Sequence, residues 1–100
     1  MIVAKHDKFH GMKIVSDNDC VSVRDQNVIE LNSSCNLVCR YYDENGLEED
    51  DPFEIDIFEF CIDSDEENII KSIKEQTGIN KFIISESAVD FIKNFASLKN

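Results

Sequence analysis

The chain has 100 residues, 42% of them hydrophobic, with 10 Lys and Arg against 21 Asp and Glu and a formal net charge of -11. That length holds one domain with one modest core, and seven Phe with thirteen Ile exclude a disordered acidic tail. The acidic balance opposes binding to nucleic acid or to an anionic membrane.

The opening Met1-Ile2-Val3-Ala4 gives way at once to Lys5-His6-Asp7-Lys8. This apolar run is too short for a signal-peptide core, and no stretch approaches the ~18 apolar residues of a membrane span. A cytoplasmic location with reduced thiols at Cys20, Cys35, Cys39 and Cys61 is the expectation.

Residues 12–15 read as a first strand, ended by the turn signal Ser16-Asp17-Asn18-Asp19. Residues 20–24 alternate and would place Val21 and Val23 on one face. Asp25-Gln26-Asn27 turns the chain into a strand over 28–31, and Asn32-Ser33-Ser34 leads to another over 36–42. Asn45-Gly46 marks a tight turn, within a longer polar break that ends at Pro52. Alternation resumes over 53–57 with Glu54 and Asp56 outward, then inverts at Phe58, which predicts a β-bulge near Ile57.

Ser64 with Glu67 has capping-box spacing and predicts a helix over 64–77, with Ile69, Ile70 and Ile73 inward and Gly78 as its stop. Residues 81–84 read as a short buried strand, and 87–98 as a second helix carrying Ala88, Phe91, Ile92, Phe95 and Leu98. The expected fold class is α+β: an antiparallel β-meander of four to five strands followed by helix–strand–helix, helices packed on one sheet face. Residues 1–100 form a single acidic domain.

Thirteen of the 21 acids fall within residues 43–70, where there is no Lys or Arg, and the other 72 residues sum to +2. The candidate partner-binding residues are therefore Asp43, Glu44, Glu48, Glu49, Asp50, Asp51, Glu54, Asp56 and Glu59. On an extended strand, residues of one face sit ~6.6 Å apart, so the last three would form a regular carboxylate row. Tyr42, Tyr41 and Phe53 flank the segment as candidate apolar anchors, or as ordinary core aromatics. Such a face attracts a cationic surface and speeds its encounter; the plainer alternative is acidity for solubility alone.

Metal sites find little support. Residues 63–67 begin like an EF-hand loop, but Asn68 stands where that loop needs Gly and Lys74 where it needs Glu. Cys35 and Cys39 with His6 and His10 have some zinc-ligand chemistry but lack paired knuckles, and Cys39 shares core parity with Leu37. There is no phosphate loop, nucleophile elbow or Cys/His pairing of a known spacing. No catalytic residue, metal or cofactor is expected.

In size and acidity the chain resembles bacterial immunity proteins that neutralise nuclease toxins, and equally phage-encoded inhibitors of nucleic-acid-guided defence. The likeness is one of composition and size and transfers no residues. It implies a binding or inhibitor protein, not an enzyme. Its acidic face, an imitation of nucleic acid, would occlude the basic active or nucleic-acid-binding surface of a protein partner, such as a nuclease. The alternatives are a structural adaptor or oligomer subunit using an apolar sheet surface, and a calcium- or zinc-binding module.

Overall fold

The computed structural model of the chain describes residues 8–46 and 52–97. These residues form one mixed sheet of six strands: β1 (Lys8–Phe9), β2 (Met12–Val15), β3 (Gln26–Leu31), β4 (Leu37–Tyr42), β5 (Phe53–Glu54) and β6 (Ile83–Ser85). Three α-helices accompany it, α1 (Ile57–Phe60), α2 (Glu66–Thr77) and α3 (Glu86–Ser97), and a 3₁₀ helix spans Asp17–Ser22. His6, Glu48, Glu49, Asp50, Asp51 and Leu98 lie outside the described residues.

The α+β class holds, but the sheet is not an antiparallel meander. Its order is β1-β2-β6-β3-β4-β5. The last strand enters between β2 and β3 and runs parallel to both, whereas β1–β2, β3–β4 and β4–β5 are antiparallel. The cause is legible in β6 itself. Ile84 faces the helices, Ile83 faces the opposite side, and both are buried. A strand apolar on both faces belongs at the centre of a sheet, and α2 supplies the long connection that a parallel return needs.

Both long helices lie on one sheet face, as expected. Ile69, Ile70 and Ile73 of α2, with Ala88, Val89 and Ile92 of α3, share a core with Met12, Ile29, Leu37, Cys39 and Ile84. The caps are local. Asp65 rather than Ser64 begins α2, its carboxylate accepting from the Asn68 N–H at 2.8 Å. Gly78 ends it with φ +71° and donates to the Lys74 carbonyl at 2.9 Å.

Residues 20–24 do not form the predicted strand. Cys20 and Val23 are buried while Val21 is exposed, a spacing of three that suits the 3₁₀ helix. With Val28, Tyr42 and Ile83 they make a second, smaller core on the sheet face away from the helices. The sequence alternation of Val21 and Val23 therefore does not carry over into burial.

Asp17 in that 3₁₀ helix reaches the start of α3, where its Oδ1 accepts from the Ser87 N–H at 3.2 Å and from the Ser87 hydroxyl at 2.9 Å. It meets an otherwise unsatisfied donor and the positive end of the helix dipole. Asp17→Ala should therefore destabilise the protein by about 1–2 kcal/mol in urea unfolding, and Asp17→Asn by less. Equal stability of both variants with the parent would show that this link is not used.

A candidate protein-docking surface around α1

Residues 53–60 depart furthest from the sequence reading. The strand stops after Glu54, although the Ile55 N–H still donates to the Leu37 carbonyl at 2.9 Å. Asp56 then caps α1, accepting the Glu59 N–H at 2.9 Å. No bulge is present; the inversion at Phe58 marks a change of period from strand to helix. Ile57 and Cys61, one helical turn apart, are buried in the main core and anchor the segment.

Anchoring α1 by those two residues turns the others outward. Phe58 is 59% exposed, Phe60 63%, Ile62 66% and Phe53 49%. The Phe58 ring meets Phe95 of α3 edge-on at 5.5 Å, and Phe95 stacks on Phe91 at 6.3 Å. Phe60 rims a groove along α2 with Ser64, Asn68, Ser72 and Gln76. Gln76 ties α1 to α2 through two hydrogen bonds to the Asp56 backbone, at 2.9 and 2.8 Å. The apolar side chains thus project from a braced turn.

The carboxylates around them are largely uncompensated. Residues 53–67 hold seven acids and no base. Among the described residues the only ion pairs are His10 with Glu66 at 3.2 Å and Arg40 with Glu30 at 3.5 Å. Glu54, Asp56, Glu59, Asp63, Asp65 and Glu67 are exposed and outside both. They do not form the expected row, since only Glu54 lies on a strand.

The other predicted site residues divide. Tyr42 is 6% exposed in the smaller core and donates its hydroxyl to Glu30 at 2.7 Å, so it is no surface anchor. Five positions on from Leu37, Tyr42 faces the other side of the sheet, which is covered as well. Asp43 is half-buried and organises the following turn, accepting from the Asn45 and Gly46 N–H groups. Glu44 is exposed on that turn. Gly46 has φ +78°, a backbone conformation that favours glycine, and the flexible end of Arg24 lies beside it.

Beneath the opposite sheet face, burial and then the Glu30 carboxylate raise the Tyr42 hydroxyl well above its usual pKa. Burial, followed by Glu30, pushes the Cys39 thiol up to about 11. Burial, then Glu30, Asp17 and Asp19, does the same for Cys20. Both thiols stay protonated at neutral pH and are poor nucleophiles. In the unfolded chain they titrate near 9, so between pH 9 and 11 the unfolded state holds fewer protons and stability falls as pH rises. Urea midpoints should drop across that window, and drop less in Cys20→Ala/Cys39→Ala.

All four cysteines are free, and only Cys35 is exposed. A native thiol titration should find one fast-reacting group and three that react on unfolding; more than one fast group would contradict this placement. No three His, Cys, Asp or Glu side chains come together as a metal site among the described residues. No helix among them is long and apolar enough to cross a membrane. Family models, curated proteins and solved structures all give no match to this chain.

Proposed function

We propose that this chain is a small protein-binding module that covers a basic surface of a protein partner and so blocks it. The observation that carries the reading is the α1 segment, where Phe53, Phe58, Phe60 and Ile62 stand exposed among unpaired carboxylates. Leaving a Phe in water forgoes roughly 1.5–3 kcal/mol of burial. Aromatic groups of this kind are the usual anchors of interfaces, with charge arranged around them. The acids steer a cationic surface into place, and the aromatics then hold it.

Basic surfaces that tolerate such a partner are characteristic of proteins that bind nucleic acid. The module would therefore act as an inhibitor by occlusion, in the manner of a toxin-neutralising immunity protein or a phage-encoded inhibitor. Phe58, Phe60 and Ile62 belong to α1 and the residues after it, with only Phe53 on the edge strand β5, so an apolar sheet surface of the kind an adaptor would use is small. A symmetric contact between two copies would also set seven carboxylates against seven. No metal or cofactor enters this reading.

The test is affinity capture from the native host with the parent, Phe58→Ser/Phe60→Ser and Glu54→Gln/Asp56→Asn/Glu59→Gln in parallel. A basic protein retained by the parent, lost from the serine variant and captured more slowly by the amide variant supports the proposal. A protein retained equally by all three removes it.

A further inference from the structure

The fold gathers three lysines that the sequence keeps far apart. Lys8 of β1 and Lys13 of β2 are direct cross-strand partners. Their neighbours Phe9 and Met12 face the helix-side core, so strand alternation turns both lysines to the other face. Lys81 precedes β6, the neighbour of β2, and all three line one cleft of about 570 Å³ with Asp25, Gln26 and Asn27.

The three ammonium groups are exposed, and none belongs to an ion pair among the described residues. That is unexpected in a chain with twice as many acids as bases. Like charges placed directly across an antiparallel pair repel, so the unliganded cleft holds a repulsion that an anion would relieve. Its one carboxylate among the described residues, Asp25, opposes an anion but is engaged by the Tyr41 hydroxyl at 2.5 Å. Gln26, which shares strand parity with Val28 on that face, adds a neutral side-chain N–H donor.

We propose that this cleft binds a small, multiply charged phosphate anion of the pyrophosphate class. Its volume lies in the range of small-molecule sites. Lysine is a point-charge phosphate binder, and three such groups favour a ligand that can meet more than one of them. The overall field of -11 repels simple anions, so a single charge gains too little to stay. The site is independent of α1, because β1 and β5 are opposite edges of the sheet.

Titration calorimetry of the whole protein with sodium pyrophosphate, at ionic strength matched with sodium chloride, tests this. Saturable binding is expected, with a rise in melting temperature. Lys13→Gln and Lys81→Gln should each weaken it about tenfold, and Lys71→Gln, on α2, should not. Amide resonance shifts should centre on Lys13, Gln26, Asn27 and Lys81, which keeps the result readable if a variant is less stable. Absence of saturable binding, or equal loss in Lys71→Gln, overturns the proposal. Concentration-dependent self-association abolished by Lys13→Gln/Lys81→Gln would also overturn it, assigning the cleft to the carboxylates of a second copy.

Discussion

Changing Phe58 and Phe60 together to serine should cost a hundredfold or more in partner affinity while moving the melting temperature by only a few degrees. Interface aromatics that act as anchors cost about 2 kcal/mol or more each when truncated, and 1.4 kcal/mol is tenfold. Stability has less to lose, because both rings are more than half exposed. Phe58 gives up its edge contact with Phe95, about 0.5–1 kcal/mol, and the serines remove apolar surface from water. Ile57→Ala is the contrasting change. Ile57 is fully buried under α1, so its truncation should cost about 2–5 kcal/mol of folding free energy and loosen the whole docking surface. If the double serine variant binds like the parent, the exposed aromatics are not anchors.

Neutralising the acids should act on rate more than on holding. Glu54→Gln/Asp56→Asn/Glu59→Gln/Asp63→Asn keeps shape and removes four charges that are in no ion pair. Asn at position 56 retains an oxygen to accept the Glu59 N–H, and Asn at 63 tolerates the φ of +60° found there. Thermal stability should be equal or higher, since mutual repulsion falls. Association with a basic partner should slow about tenfold at low salt, and its dependence on ionic strength should flatten. Asp19 and Glu86 are suitable control positions; Asp17 is not, because it holds the start of α3. An unchanged association rate would reduce the acidic segment to a solubility device.

The sequence made some of this visible and concealed the rest for physical reasons. Local signals were reliable: Gly78 ends α2, Ile69, Ile70 and Ile73 face inward, and β4 runs close to its expected bounds. Non-local pairing was not legible, because nothing in residues 12–31 announces that a strand far along the chain, at Ile83–Ser85, will part β2 from β3. The doubly apolar Ile83-Ile84 was the available clue to a central strand. At α1 the clue was Asp56 with Glu59 three residues on, the spacing of a helix start, together with Ile57 and Cys61 four apart. Read as a strand, the segment gave acids in a row; folded as a helix turn, it exposes Phe58 and Phe60. The lysine cleft was hidden for a similar reason, since Lys8, Lys13 and Lys81 meet only once β6 lies beside β2.

The most direct test of the docking surface is amide hydrogen exchange on the chain, free and bound to the partner that affinity capture supplies. Protection gained on binding should be concentrated in residues 53–67, covering β5, α1 and the start of α2. The facing part of α3 around Phe91 and Phe95 should follow it. Protection confined instead to β1 and β2, with residues 53–67 exchanging as in the free chain, would contradict the account.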